Sequence, residues 1–182
     1  MKIDLFFDNQ VKLINKDLFL DNRGIFLQNY DNSIEKEIGS IIQQENISYS
    51  KKNVLRGLHY QWHKPMGKLV QCINGSIIDF VVDIRKDSTT LGEIKFFYLN
   101  KPNKLLWIPA GFAHGFYSKT NNTIVKYLCT TLYNKDGEGA INFNDDNFKI
   151  IKKLNLNIDN LIISDKDMNA QSFSDYLISP RF

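Results

Sequence analysis

Residues 76–84, SIIDFVVDI, form the segment that most clearly indicates the fold class. Apart from Ser76, Asp79 and Asp83, every residue in it is β-branched or aromatic, and such runs are typical of β-strands. Because side chains alternate along a strand, Asp79 and Asp83 share one face. Antiparallel sheets commonly leave one face wet, so we expect this face to meet solvent. A polar barrel lumen is the alternative.

Similar short runs continue on both sides, over about residues 54–132, with polar turn segments between them. Asn74-Gly75, between two apolar runs, predicts a tight hairpin. Helix signals are few, and they predict one short helix over residues 32–38, behind Asp31 or Ser33 as its cap. Many short strands indicate an antiparallel sandwich or small barrel. The predicted strands are Leu5–Phe7, Gly24–Tyr30, Ile41–Tyr49, Val54–Gln61, Leu69–Ile73, Ser76–Ile84, Ile94–Leu99, Lys104–Ile108, His114–Ser118, Thr123–Tyr133 and Ala140–Phe143.

Length and composition narrow the class of protein. The chain has 182 residues, typical of one domain, and its net charge of +3 is too small to indicate nucleic-acid binding. No apolar run reaches the roughly 18–20 residues that cross a membrane, and the N-terminal segment does not resemble a secretory leader. Cys72 and Cys129 lie in apolar runs, as buried free thiols do in a reducing compartment. We therefore expect a cytoplasmic protein without a membrane or nucleic-acid partner.

All three histidines of the chain fall in two segments, RGLHYQWH at residues 56–63 and IPAGFAHGF at residues 108–116. A lone histidine is usually a hydrogen-bonded core or surface residue. Here His59, His63 and His114 are concentrated where strands begin or end. A ligand cavity needs polar groups concentrated in this way, so we expect these segments to line one.

The spacing of His59 and His63, together with the Pro-x-Gly-x-x-His turn before His114, resembles the skeleton of a cupin β-barrel. Metal-binding cupins place a carboxylate soon after the second histidine, but here Lys68 occupies that stretch. A cation there would repel a divalent metal, so we expect no metal and no other cofactor. The alternative from another class is a metal-binding cupin, an oxygenase or a binding protein, with all three histidines as ligands.

The remaining groups suit proton-transfer chemistry. A neutral histidine can remove a proton near neutral pH. Lys68 and Arg56 could stabilise an enolate oxygen or bind phosphate. Tyr127 shares a strand face with Cys129, Thr131 and Tyr133, which indicates a cavity wall, and its hydroxyl could return a proton from another direction. These are the groups that abstract a proton α to a carbonyl and replace it on the other face.

Across nearly its whole length, and in the same order, the chain resembles the nucleotide-sugar 3,5-epimerases typified by dTDP-4-dehydrorhamnose 3,5-epimerase. The central motifs together are far more specific than any one of them. The segments that carry the resemblance are Asp21–Phe26, Gln44–Ser48, Arg56–Gln61, Gly67–Val70, Asp83–Arg85, Ile108–Phe116, Tyr127–Tyr133 with Glu138, and Ser164–Asp167.

The resemblance implies an all-β fold: a cupin or jelly-roll antiparallel β-barrel with a few short peripheral helices. A single domain would span residues 1–182, with N-terminal strands over about 1–53, the barrel core over about 54–145 and a C-terminal segment over about 146–182. It implies a homodimer with exchanged N-terminal strands. The implied reaction, in dTDP-rhamnose biosynthesis, inverts C3 and C5 of a nucleotide-linked 4-keto-6-deoxy sugar. Alternatives are inversion at one centre, or a GDP- or CDP-linked sugar.

The resemblance also implies a role for each catalytic residue. His59 would be the general base, and Asp167 would orient its imidazole. Tyr127 would be the general acid on the opposite side of the sugar. Lys68 would stabilise the enolate oxygen and contact the substrate.

The implied substrate-binding residues fall into groups by what they would contact. Two arginines would bind the diphosphate, and a tyrosine would stack on the nucleobase. A glutamine stands where the family usually has a glutamate, which removes a charge from a nucleotide contact. The set is Arg23 and Arg56 for the diphosphate, Tyr133 for the base, Gln28 at the glutamate position, and Gln44, Asn46, His114, Glu138 and Lys166 for the sugar and nucleotide.

Arg56 and His59 present a geometric problem, because residues three apart on a regular strand point to opposite faces. Both are expected in one cavity. We therefore predict a bulge or kink at Gly57, since glycine adopts the backbone conformations that such an irregularity requires.

Overall fold

Two antiparallel β-sheets pack face to face in the computed structural model, which describes residues 1–182. The strands are β1 (Lys2–Phe6), β2 (Val11–Asn15), β3 (Phe19–Asp21), β4 (Gly24–Phe26), β5 (Gln44–Ser50), β6 (Leu55–Gln61), β7 (Lys68–Asn74), β8 (Ile77–Asp83), β9 (Ile94–Leu99), β10 (Lys104–Ile108), β11 (Phe112–Ser118), β12 (Thr123–Cys129) and β13 (Glu138–Ala140). One sheet has the order β1-β2-β10-β7-β12-β5, and the other β13-β6-β11-β8-β9. β3 and β4 form a separate hairpin. The predicted all-β class is confirmed.

Helices are short and peripheral, as predicted. α1 (Asn32–Ile38) begins behind Asp31, whose side chain accepts a hydrogen bond from the backbone N–H of Ser33, so the predicted helix is confirmed. The others follow the barrel: α2 (Ile150–Lys153), α3 (Asp165–Met168) and α4 (Phe173–Ile178), with one-turn 3-10 helices at Lys135–Gly137 and Ile158–Asn160. No helix has the length and apolar character needed to cross a membrane.

Strand β8 is covered on both faces, which overturns the expectation that its acids meet solvent. Val81 packs between the two sheets, whereas Phe80 and Val82 pack beneath the C-terminal segment. Asp79 and Asp83 are both completely buried. Two acids on one strand face are compatible with either a wet or a covered face, because the sequence does not show that a second sheet packs against it. Asp79 points into the lumen.

The hairpin predicted at Asn74-Gly75 is wrong. β7 pairs with β10 and β12 in the six-stranded sheet, whereas β8 pairs with β9 and β11 in the five-stranded sheet. Gly75, with φ +85°, lies at a corner where the chain passes from one sheet to the other. A glycine turn between two apolar runs fits either connection, and only the pairing partners distinguish them.

The N-terminal region differs most from the predicted strands. β2 was not predicted, and the strand predicted over Gly24–Tyr30 is the β3–β4 hairpin followed by irregular chain. Four large apolar side chains of this hairpin are 56% or more exposed: Phe19, Leu20, Ile25 and Phe26. Elsewhere the predicted strands are present, several with shifted ends: Thr123–Tyr133 ends at Cys129, and only Ala140 of the predicted Ala140–Phe143 lies in a strand, β13.

Asp83 anchors a buried polar network beside the end of β8. Its carboxylate accepts hydrogen bonds from Arg85 Nε at 2.9 Å and from the Ser88 hydroxyl at 2.6 Å. Burial opposes the charged form, but the bonds from Arg85, Ser88 and Thr90 hold the pKa of Asp83 below its ordinary value. The charged carboxylate therefore stabilises the fold.

We expect Asp83→Asn to lower the free energy of unfolding by roughly 1–3 kcal/mol at neutral pH, because Arg85 loses its charged partner in a buried network. Urea denaturation measures this loss. A carboxylate with a lowered pKa contributes its full stabilisation above its ordinary pKa and loses it as pH falls through the lower pKa of the folded state, so the difference should shrink as pH falls below about 4. Exposed Asp87 is the control, and Asp87→Asn should change stability by less than about 0.5 kcal/mol. A pH-independent loss in Asp83→Asn would contradict the account.

Candidate active site

A cavity of about 260 Å³ opens between the two sheets. Both sequence segments that hold the histidines contribute to it, as predicted. The residues named from the sequence that line it are Asn46, Arg56, His59, Lys68, His114, Tyr127, Tyr133 and Glu138.

The cavity walls come from different sheets. The five-stranded sheet carries His59 on β6 and His114 on β11. The six-stranded sheet carries Lys68 on β7 and Tyr127 on β12. A ligand in the cavity therefore has an imidazole wall on one side and a wall with the ammonium and the phenol on the other.

Gly57 brings Arg56 and His59 into the same cavity, and the predicted irregularity is confirmed. His59 is opposite His114 and Arg56 is opposite Phe116, so β6 has one more residue than β11 over this stretch. The φ of Gly57 is +108°, a value that side chains with a Cβ rarely adopt. A Cβ at this position would lie 2.5 Å from the Cα of Gly115.

The imidazole of His59 is oriented by Asp167. His59 Nε2 lies 2.6 Å from Asp167 Oδ1, and the other carboxylate oxygen accepts a hydrogen bond from the Gly57 N–H at 3.2 Å. Asp167 is buried, which opposes its charge, but His59, Gly57 and Ser164 lower the pKa of this carboxyl below its ordinary value. An anionic partner at Nε2 keeps the proton there and leaves Nδ1 free to accept another.

Helix α3 delivers Asp167 to this position. Ser164 caps the helix, since its hydroxyl accepts a hydrogen bond from the Asp167 N–H at 3.2 Å. Asn142 donates a hydrogen bond to the backbone carbonyl of Met168 at 2.9 Å, which ties the helix to the chain after β13. The carboxylate is therefore held from both ends of α3.

Lys68 carries an ammonium without a partner. No carboxylate oxygen lies within 4.0 Å of its Nζ, although every other polar group deep in the cavity has at least one neighbour. Burial lowers the pKa of Lys68, while the nearby Cys129, Glu138 and Asp79 act in the opposite direction. A ligand oxygen that develops negative charge would satisfy this group.

His114 forms a second imidazole–carboxylate pair. Its Nδ1 lies 3.4 Å from Asp79 Oδ1 and 3.3 Å from Oδ2, and only the bond to Oδ1 has hydrogen-bond geometry, so Oδ2 is unpaired. Burial lowers the pKa of His114 and raises that of Asp79. Because Nδ1 faces Asp79, Nε2 is the nitrogen that His114 can offer to a ligand.

Tyr127 is held by a serine on the neighbouring strand. Its hydroxyl lies 3.1 Å from Ser48 Oγ, and burial raises the pKa of the phenol above its ordinary value. The rings of Tyr127 and His114 are 6.2 Å apart between centroids. The phenol is therefore protonated at neutral pH and lies across the lumen from the histidine wall.

A hydrogen-bonded group frames the cavity mouth. Glu138 Oε2 accepts hydrogen bonds from Tyr133 Oη at 2.9 Å and Lys166 Nζ at 2.5 Å. Burial opposes the charge of Glu138, but these two donors lower its pKa. Gln44 accepts a hydrogen bond from the backbone N–H of Tyr133 at 2.8 Å. Gln44 and Lys166 thus support the mouth without lining the cavity.

Three residues singled out from the sequence lie elsewhere. Arg23, in the turn of the β3–β4 hairpin, pairs with Asp21, and Gln28 donates a hydrogen bond to Asp31. His63 is exposed and lies against Asn134.

No group of three histidine, cysteine or acidic side chains is arranged to hold a metal, so the alternative set of three histidine ligands is not assembled.

Six lining residues were not predicted from the sequence to be ligand contacts: Ile47, Ser48, Met66, Gly115, Phe116 and Cys129. Ser48 follows Gln44 and Asn46 at the spacing of one strand face, which is a usable signal. Cys129 shares a face with Tyr127 by the same rule. Met66 lies in a turn, where no periodicity indicates direction.

The family model for dTDP-4-dehydrorhamnose 3,5-epimerase matches residues 9–175. The dTDP-4-dehydrorhamnose 3,5-epimerase of Methanothermobacter thermautotrophicus is 41% identical over 160 residues, which cover 86% of each chain. The crystal structure of dTDP-6-deoxy-D-glucose-3,5-epimerase from Legionella pneumophila, in complex with dTDP-4-keto-L-rhamnose, has a TM-score of 0.88 at 33% identity and covers 95% of this chain and 93% of that one. A 3'-monoepimerase from Streptomyces bikiniensis, in complex with dTDP-quinovose, has a TM-score of 0.84 at 25% identity, over 92% of this chain and 86% of that one.

We expect Gly57→Ala to cost about 3 kcal/mol or more in unfolding free energy, because the added Cβ meets backbone atoms that cannot move away easily. Gly39→Ala is the matched control. Gly39 also has a positive φ, +66°, but nothing lies within 4 Å of its Cβ position, so it should lose only about 1 kcal/mol. Urea denaturation of both variants measures the difference, and equal losses would show that the close approach of β6 and β11 is not the cause.

Proposed function

This chain belongs to the dTDP-4-dehydrorhamnose 3,5-epimerase family, and we propose that it converts dTDP-4-dehydro-6-deoxyglucose to dTDP-4-dehydrorhamnose by inverting C3 and C5 without a cofactor. The observation that carries the proposal is the placement of His59 and Tyr127 on facing walls, with the unpaired ammonium of Lys68 in the same cavity. An inversion requires a base on one side of a carbon and an acid on the other. The placement of His59 and Tyr127 supports these two roles.

The first step is removal of the proton from C3 or C5. These carbons flank the C4 carbonyl, so their protons are acidified by it. Nδ1 of His59 accepts the proton while Nε2–H donates to Asp167, and the carboxylate stabilises the imidazolium that forms. The C–H bond breaks, and its electron pair moves into an enolate whose charge lies on O4.

Lys68 stabilises that enolate. Its ammonium has no carboxylate partner to compete with the substrate, and burial strengthens its interaction with a new negative charge. Nε2 of His114 is available for a second hydrogen bond to the sugar. An interaction present mainly in the enolate state accelerates the reaction rather than only tightening ground-state binding.

Tyr127 completes the inversion by donating its hydroxyl proton to the opposite face of the same carbon. Its raised pKa keeps the phenol protonated until the enolate forms. After transfer, His59 carries the proton from the substrate and Tyr127 is a phenolate. Both exchange with solvent before the next inversion.

The cavity volume of about 260 Å³ suits a sugar ring rather than the whole nucleotide, since pockets for drug-sized ligands are roughly 300–1,000 Å³. The nucleotide would therefore lie at the mouth. Arg56 would bind the diphosphate, because its forked guanidinium suits phosphate oxygens. Tyr133 would stack on the base. Asn46, Gln44, Glu138 and Lys166 surround the same opening.

Arg23 and Gln28 fit this scheme in a homodimer with exchanged N-terminal strands. In one chain the β3–β4 hairpin is detached from both sheets and exposes four large apolar side chains. Such a surface is unfavourable in water unless a partner covers it. A hairpin that packs against a second subunit would carry Arg23 to the partner's cavity mouth.

Cys72 and Cys129 are both free and buried, which suits a reducing compartment. On this ground we place the protein in the cytoplasm, where nucleotide sugars are available as substrates.

We expect His59→Ala to abolish deuterium uptake at C3 and C5 in deuterium oxide, because no other base takes its place. Tyr127→Phe should retain uptake but block inversion at one or both centres. Nuclear magnetic resonance of dTDP-4-dehydro-6-deoxyglucose incubated with each variant distinguishes exchange from inversion. Retained uptake in His59→Ala would contradict the base assignment, and equal loss of both processes in Tyr127→Phe would indicate a positioning role.

The same experiment with the unmodified protein separates the remaining candidates. Deuterium and inversion at both carbons support the 3,5-epimerase, and at one carbon they support the single-centre alternative. Parallel incubations with GDP- and CDP-linked 4-keto sugars identify the nucleotide. No inversion of any of these sugars would reject the proposed function.

Mixed dimers test the exchanged hairpin. Neither Arg23→Ala nor His59→Ala alone should have appreciable activity, but a heterodimer of the two should recover about half the wild-type activity, because one of its two sites then contains both side chains. A heterodimer of His59→Ala and Lys68→Ala is the control and should stay inactive, since both residues belong to the same chain's cavity. Lack of recovery in the first heterodimer would place Arg23 in its own subunit's site or outside both.

A further inference from the structure

Ser48 contacts the proposed acid and has no role in the steps above. Its side chain lines the cavity from β5, the edge strand of the six-stranded sheet, and its Oγ lies 3.1 Å from the hydroxyl of Tyr127. Neither group has another hydrogen-bond partner. The inward-facing position of Ser48 follows from the register, in which Asn46 on the same face of β5 is opposite Tyr127.

The direction of this hydrogen bond decides what it can do. If Tyr127 donated to Ser48, the acidic proton would be occupied and would not point at a substrate carbon. If Ser48 donates to the phenolic oxygen, the phenol keeps its proton free for transfer. The same donor then faces the negative oxygen that transfer leaves, and hydrogen bonds to charged oxygens are the stronger ones.

The phenolate needs such a donor. Tyr127 is largely withdrawn from water, and Asp79 in the same lumen repels a second negative charge. Arg56 supplies a favourable charge at a distance, but Ser48 is the only group in direct hydrogen-bond contact. Loss of that contact would make proton donation harder without affecting His59, which lies on the other sheet.

We propose that Ser48 is a positioning residue for the acid step: its hydroxyl donates to Tyr127, aims the phenolic proton at the substrate carbon and stabilises the phenolate that transfer leaves. The proposal rests on the acid role of Tyr127 proposed above. The O–H bond of Tyr127 breaks as the new C–H bond forms, and Ser48 keeps its own proton throughout.

The experiment is done in deuterium oxide and compares two fates of the same enolate: deuterium exchange without inversion, and inversion. Return of a deuteron by His59 gives labelled substrate of unchanged configuration, and donation by Tyr127 gives inverted product. In Ser48→Ala we expect the ratio of the exchange rate to the inversion rate to rise about tenfold. This change corresponds to an activation barrier about 1.4 kcal/mol higher for proton donation by Tyr127, with the competing step unchanged. Nuclear magnetic resonance of recovered substrate and product gives both rates in one sample.

Three further variants separate positioning from a general structural role. Ser48→Thr keeps the hydroxyl and should restore the wild-type ratio. Ser50→Ala removes the next inward-facing hydroxyl on β5, which accepts a hydrogen bond from Arg56 Nε at 3.3 Å and does not contact Tyr127, so its ratio should stay at the wild-type value. Ser48→Cys retains a weak hydrogen-bond donor and should give an intermediate ratio. If circular dichroism shows that Ser48→Ala is unfolded, Ser48→Cys replaces it in the experiment.

Each failure has its own signature. A Ser48→Ala variant that loses exchange and inversion by the same factor overturns the proposal, because a distorted cavity slows both. If Tyr127→Phe leaves the ratio unchanged, the acid role fails and the Ser48 proposal fails with it. If the unmodified protein inverts no 4-keto sugar, the proposed function itself is wrong.

Discussion

The hydrogen bond between His59 and Asp167 joins parts of the chain that are 108 residues apart, and the rest of the site depends on it. A buried carboxylate is stable only if donors surround it, and Asp167 receives them from the His59 ring and the Gly57 backbone on β6. The C-terminal segment must therefore dock before the base is oriented. That docking is apolar: Phe148, Phe173 and Tyr176 pack on the outer face of the five-stranded sheet, against Phe80 and Val82.

The interior holds charge that the fold alone does not neutralise. The ammonium of half-buried Lys68 has no partner in the protein, and one oxygen of fully buried Asp79 lacks a hydrogen bond. Leaving such groups unsatisfied costs stability in the free protein. This loss of stability favours catalysis, because a donor that is already in place before the enolate forms needs no reorganisation when negative charge develops. The cavity is thus suited to a charge that exists only during the reaction.

Strand alternation indicated part of the site, and the resemblance to the epimerase family implied the rest. The placement of Tyr127 on a cavity wall and the irregularity at Gly57 both followed from a period of two residues. The errors lie where the pattern depends on distant partners. Asn74-Gly75 suits a hairpin or an inter-sheet corner equally, and Asp79 is buried only because the six-stranded sheet faces it. The side chain of Met66 lies in a turn, where its direction depends on packing and cannot be predicted from the local sequence pattern.

The division of groups between the two sheets also bears on how many centres one site can invert. C3 and C5 both adjoin C4, so a cation that fixes O4 leaves either carbon able to face the same base. One imidazole and one opposed phenol are then enough for two successive inversions, provided that the ring turns about the O4 contact between them. A second base is not required. We therefore expect selection between one and two centres to depend on the shape of the cavity around the ring, where Met66 and Phe116 form apolar walls.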